Sequence, residues 1–353
     1  MPITPIQEIV ATVPARPSFS KSFKIQEEHY LWRGTNQTGC KPGSLCQTKA
    51  GDILAVWYGG GEFAGDESEE TALWFSRYKE GKWEAPVCLY KEAGYHIWNP
   101  VFFALPSGKV QLYFRKFMPK ASEPQREKYG IRDFTYHLME SDDNGVTWST
   151  PQLVAAGPLK SPPIKLEDGT WIMPCGASGS TFLQLSKDEG KSWQKVGPIV
   201  REDGKEMMTE PSLVKSSDGK VLIFLRNRQK EASDRYCLRA TFSIASQKLS
   251  PAKPTTMPNP DAGIDVLRLQ DGTLVMATNP SQFDRSPLAL YTSCDEGKSW
   301  ELAHVLETGP GAFAQPSIIQ SVDGKLHVLY YWWPANMPNK NMKHVIIELN
   351  LSF

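Results

Sequence analysis

Short apolar runs of alternating character, each pair joined by a small residue and a glycine, set the rhythm of this chain. From Thr209 to Arg228 it reads TEPSLVKSSDGKVLIFLRNR, two strand-length runs meeting at Asp218-Gly219. An Asp-Gly pair between such runs is a strong hairpin signal. With a two-residue turn, the register sets Glu210 at the open end beside Arg226 and Arg228.

The same layout recurs around Gly51, Gly108, Gly169, Gly219, Gly272 and Gly324, at intervals of 50 to 61 residues. A repeat of that length with several strands per unit predicts an all-β chain, a six-bladed β-propeller of four-stranded antiparallel blades. A second element falls later in the units: SDDNGVTW at 141–148, SKDEGKSW at 186–193 and SCDEGKSW at 293–300 all fit S-x-D-x-G-x-x-W. SRYKEGKW at 76–83 keeps the Ser, Gly and Trp, whereas 243–250 keeps only the Ser. Asp accepts backbone N–H groups in such a turn, Gly supplies positive φ and Trp covers the loop, so these Asp-box residues are read as structural.

The last unit has one further apolar run, around Lys343 and His344, so the ring needs a strand from elsewhere to close. Residues 1–30 are the expected donor, and 31–353 are expected to form one propeller domain. No linker-like composition and no long amphipathic helix interrupts the pattern.

Composition narrows the partners. The 353 residues carry 39 Lys+Arg and 39 Asp+Glu, so no global field draws the chain to nucleic acid or an anionic membrane. A charged ligand must be held by local clusters. Six cysteines lack metal-binding spacing and read as free thiols, and neither HxxxH nor a GxxxxGK loop occurs, so neither metal nor cofactor is implied. The proline-dotted start, MPITPIQEIVATVPARPSF, has no apolar run of a signal peptide. The chain as given is therefore expected in the cytoplasm, or in the periplasm or medium if it was trimmed from a longer precursor.

Candidate chemistry gathers at the open ends of the hairpins. Arginine forks suit planar carboxylates, which singles out Arg226, Arg228 and Arg285. His96, Trp98 and Asn99 enter the second hairpin and Arg115-Lys116 leave it, so the pairing logic makes Asn99 and Lys116 neighbours. Trp98 reads as a sugar-stacking platform or a core residue, and His96 as a general base or a structural histidine. Asp261 and Asp265 precede the fifth hairpin. Tyr331-Trp332-Trp333 end the sixth and read as rim packing.

With its three Asp-boxes, the chain from about Leu31 onward resembles the sialidase superfamily, in its sialidase-like BNR-repeat branch. That family holds a sugar carboxylate with three arginines, uses an Asp as acid/base and attacks with a Tyr activated by a Glu. The resemblance implies that Glu210 and Arg226 are the Glu and second Arg, Arg285 the third Arg, and Asp66, in AGDESEETALWFSR, the acid/base. Two positions depart from the pattern. Cys40-Lys41-Pro42 stands where the first arginine belongs, leaving Lys41 or Arg33 as substitutes, and GAFAQP at 311–316 offers Phe313 where the tyrosine would fall.

The expectation is an exo-acting glycoside hydrolase that removes a terminal acidic sugar from a glycan by a modified mechanism. Asp66 and Glu210 would be catalytic. Arg226, Arg228, Arg285, His96, Trp98, Asn99, Arg115 and Asp265 would bind substrate. The alternatives are a uronate-directed lyase using His96 or a Tyr as base, and a non-catalytic glycan-binding propeller. A plain salt bridge is the competing role for Glu210, and a solvated acidic loop for Asp66.

Overall fold

The computed structural model describes residues 21–31, 40–60, 71–117, 134–155, 157–177, 180–205 and 208–351. These form six antiparallel sheets, each starting from a hairpin near the axis and running outward. The inner strands of blades 1 to 6 are Gly43–Gln47, His96–Ala104, Ile164–Lys165, Met208–Lys215, Asp265–Arg268 and Gly311–Gln320. In blades 1 and 4 the fourth position is shared by two short segments, Lys82–Trp83 with Val87–Tyr90 and Lys248–Leu249 with Lys253–Pro258. In blade 6 the outermost strand is Lys21–Tyr30, paired antiparallel with Asn341–Leu351, so the two ends of the chain share one sheet.

Both faces of every blade lie against a neighbour, which explains runs such as VLIFL that are apolar at every position. Along that run, Val221, Ile223 and Leu225 enter the seam with blade 3, while Leu222 and Phe224 enter the seam with blade 5. The core is accordingly six wedges, one at each seam. Four cysteines are buried in it and Cys88 and Cys294 are exposed; all six are free thiols.

The hairpin turns differ from the two-residue reading. Ser216 N–H donates to the Lys220 carbonyl and Gly219 N–H to the Ser216 carbonyl, a three-residue loop with Gly219 at φ 78°. The same pair of bonds recurs at Gly51, Gly108, Gly169, Gly272 and Gly324. This is a type I turn closed by a left-handed residue, and it shifts every inner pairing by one position. The Asp-boxes join third to fourth strands in blades 2, 3 and 5. In the first, Asp143 takes N–H bonds from Val146 and Thr147, and Ser141 Oγ takes that of Gly145.

Turns and Asp-boxes share one face of the ring, and the open ends of the hairpins share the other. On that open face three inner strands carry the same irregularity. Register breaks between Trp98 and Val101, Thr209 and Ser212, and Ala314 and Ser317. At each break a residue with positive φ precedes a proline: Asn99 (47°), Glu210 (51°) and Gln315 (58°). Left-handed backbone ahead of proline is unfavourable for a residue with a Cβ, so the fold holds strain at three places around the axis.

Candidate active site

The bulges decide what reaches the axis. A regular strand would send alternate side chains into the two seams; the extra residue of each bulge is unpaired and its side chain is released toward the ring centre. Asn99, Glu210 and Gln315 thus come from blades 2, 4 and 6 into one cavity of about 210 Å³, joined there by Lys41, Tyr58, Arg115, Arg226, Arg228, Arg285, Tyr331 and Lys340. Among the described residues that line it, six are basic and only Glu210 is acidic, a lining that suits an anionic ligand.

Arg226 is the best-anchored member. Thr209, not Glu210, is its ladder partner, yet the bulge swings Glu210 back so that Arg226 Nη1 donates to Glu210 Oε1 at 2.8 Å. Arg226 Nε donates to Asp261 Oδ1 at 2.7 Å, and Arg228 Nε lies 3.4 Å from the same oxygen. Arg285 donates through Nη1 to the Tyr331 hydroxyl at 2.8 Å and through Nη2 to the Asp261 carbonyl at 2.9 Å. Asp261, itself at φ 60°, therefore ties the three arginines together.

Burial works against charge on Glu210, but Arg226, Lys160 and Arg285 outweigh it and hold the carboxyl below its ordinary value. Burial likewise opposes charge on Arg226, and Glu210 and Asp261 more than restore it. Glu210 is then a carboxylate at neutral pH, able to accept a proton or attack, and not a general acid. Its Oε2 is buried without a hydrogen-bond partner, as is Gln315 Oε1. Both crowd Gly263, where a Cβ would stand 2.8 Å from Glu210 Oε2 and 2.0 Å from Gln315 Oε1. A side chain there would displace one or both of these groups.

Beneath the cavity the axis is closed by polar groups. Asp265 accepts from Ser161 Oγ and Ser212 Oγ at 2.9 Å each and from the Ile318 amide at 3.0 Å, joining blades 3, 4, 5 and 6. Lys160, only 5% exposed, donates from Nζ to the Pro316 carbonyl at 2.6 Å.

Of the residues singled out in the sequence, Glu210, Arg226, Arg228, Arg285, Asn99 and Arg115 line the cavity. Three sit elsewhere. Asp265 is the axial staple just described. His96 is buried between Trp98 and Phe117, with ring centroids 5.8 and 5.6 Å away. Trp98 lies under the Arg115 guanidinium, 4.8 Å from its carbon, so it supports a lining residue by a cation–π contact. Lys116 faces Ile97 across the ladder, not Asn99, and its ammonium pairs with Glu92. Asp66 and Arg33 lie outside the described residues.

Phe313 is packed in the seam between blades 5 and 6, and the residue that the inner strand of blade 6 sends into the cavity is Gln315. The repeated X-Pro pair, Lys41-Pro42, Asn99-Pro100, Glu210-Pro211 and Gln315-Pro316, is the signal that marks these positions. Tyr331, read as rim packing, and Tyr58 are the phenols among the described residues of the cavity.

A family model described as a BNR repeat-like domain matches residues 51–328. No curated protein matches the chain. Among solved structures it is similar to a protein of unknown function from Dyadobacter fermentans, with TM-score 0.76, 15% identity, and coverage of 93% of this chain and 100% of that one. It is also similar to the intramolecular trans-sialidase of Ruminococcus gnavus solved with oseltamivir carboxylate (TM-score 0.69, 13% identity, 91% and 96% covered). A third likeness is to the NanB sialidase of Streptococcus pneumoniae (TM-score 0.71, 12% identity, 97% and 72% covered). At these identities the likeness concerns the fold. With the family model matching most of its length, the chain belongs to the BNR repeat-like domain family, and its fold is similar to that of those sialidases.

Proposed function

We propose that this protein is an exo-acting, sialidase-like glycosidase that removes a terminal acidic sugar from a glycan. The observation that carries the reading is the convergence of Arg226, Arg228 and Arg285 on one cavity with an ionised Glu210. Guanidinium forks match a sugar carboxylate in shape and charge.

Glu210 serves as the base or the attacking group, or keeps Arg226 aligned. Tyr331 brings a hydroxyl that Phe313 lacks, and Arg285 donates to its oxygen, which would stabilise negative charge developing there. Asp66 is assigned the acid/base role by resemblance alone. The eliminative alternative loses His96 as its base, because that ring is packed away from the cavity.

Release of free sugar from acidic glycans and aryl glycosides, read by reducing-end assay and by ultraviolet absorbance, tests the proposal. Hydrolysis gives new reducing ends without the absorbance of an unsaturated uronate. Glu210→Gln and Asp66→Asn should each lower turnover by roughly 100-fold or more. Near-full activity in both variants would remove the assigned site, and binding without any turnover would leave a glycan-binding propeller.

A further inference from the structure

Lys160 is a buried charge that the reaction as drawn does not use. It enters the axis from blade 3 and ends on the Pro316 carbonyl of blade 6, the blade directly opposite in a ring of six. Pro316 follows Gln315, whose amide oxygen shares the space above Gly263 with Glu210 Oε2. The ammonium is thereby tied to the residue that follows Gln315 in the blade 6 bulge.

We propose that Lys160 is a positioning residue for the reaction at Glu210, setting the charge balance of that carboxylate and holding the Gln315-Pro316 bulge against it. This rests on the glycosidase reading. The charged groups of this cluster are Glu210, Arg226 and Arg228 from blade 4, Asp261, Asp265 and Arg285 from the blade 5 region, and Lys160 itself from blade 3, four cations and three carboxylates, with Lys41, Arg115 and Lys340 further round the cavity wall. Burial draws Lys160 below its usual lysine value, with the Asp265 and Glu210 carboxylates opposing that pull. Removing the ammonium takes from the buried Glu210 carboxylate one of the three cations, Arg226, Lys160 and Arg285, that offset its desolvation, which favours proton uptake by Glu210. A protonated Glu210 neither accepts a proton nor attacks.

The test uses two variants of the full chain. Lys160→Met removes the charge and the bond to Pro316, whereas Lys160→Gln removes the charge and keeps a donor for that carbonyl. Carbon-13 NMR of the side-chain carboxyl, assigned with Glu210→Gln, should show the Glu210 midpoint moving up by about one pH unit or more in both. The acid limb of kcat/KM on an aryl sialoside should move with it, with KM changing less than kcat. Lys160→Gln restoring the wild-type midpoint and pH profile would reduce Lys160 to a structural tie and overturn the proposal. If Lys160→Met does not fold, Lys160→Gln decides alone. Nitrogen-15 NMR of the wild-type lysines adds a reading without any variant: a neutral Lys160 amine at pH 7 would also overturn it. The carboxyl titration needs no turnover, so a protein that hydrolyses no glycoside but shows the shift would refute the glycosidase reading and leave the charge role of Lys160 standing.

Discussion

Acid should loosen the seam where the two chain ends close the ring. Trp83 of blade 1 donates its indole N–H to His344 Nδ1 at 3.2 Å. An indole is a donor only, so this bond fixes every tautomer beyond it. His344 must then donate from Nε2 to His327 Nδ1 at 3.0 Å, and His327 from Nε2 to Ser321 Oγ at 3.1 Å. Ser321 Oγ donates in turn to Asp323 Oδ1. Nearby, His29 stacks on His344, while Glu27 accepts from Tyr78 and pairs with His29. A proton added to either ring of the His327–His344 pair sets donor against donor.

Burial pulls His327 down from 6.5 to about 4 and puts His344 well below its usual value. The unfolded chain therefore binds these protons first. The stabilisation is complete above pH 6.5 and is lost as the pH falls toward 4. For His327 alone the loss is about 3 kcal/mol, a large share of the stability of most folded domains. Urea unfolding of the wild type and of His327→Gln at a series of pH values from 7.5 to 4 reads this directly, because the Gln amide keeps an acceptor for His344 and a donor for Ser321. Between those limits the wild type should lose about 3 kcal/mol more than the variant. Hydrogen exchange in Lys21–Tyr30 should rise over the same range. Equal losses in both proteins would refute the reasoning.

Two glycines give further tests. Gly263→Ala places a Cβ 2.0 Å from Gln315 Oε1 and 2.8 Å from Glu210 Oε2, the far ends of two movable side chains, so activity should fall at least about tenfold with less than about 2 kcal/mol lost in urea unfolding; a wild-type kcat/KM would show that the two groups need not meet. Gly297→Ala, in the Asp-box of blade 5, meets the Phe224 ring of blade 4 at 2.5 Å and sits at φ 72°, so it should cost about 2–4 kcal/mol while leaving KM unchanged in the fraction that folds. A stability loss under about 0.5 kcal/mol would mean that the blades are not locked together at that turn.

Much of this protein is written in short windows of its sequence. Six turn glycines, three Asp-boxes and apolar runs of strand length specify hairpins and their spacing, because turn chemistry and side-chain alternation act over a few residues. Glu210, Arg226 and Arg285 were legible for the same reason, standing at hairpin ends or before an Asp-box. The ring decided the rest. A one-residue difference in turn length changed the ladder partners, and the bulges, not the alternation, chose Asn99, Glu210 and Gln315 for the axis. Asp265 became a staple and Phe313 a seam residue because each position faces a neighbouring blade that no local pattern describes. Lys160 reaches a carbonyl 156 residues away. Such contacts exist only once six sheets have closed, since they depend on which ends converge on the axis and not on what any one strand prefers.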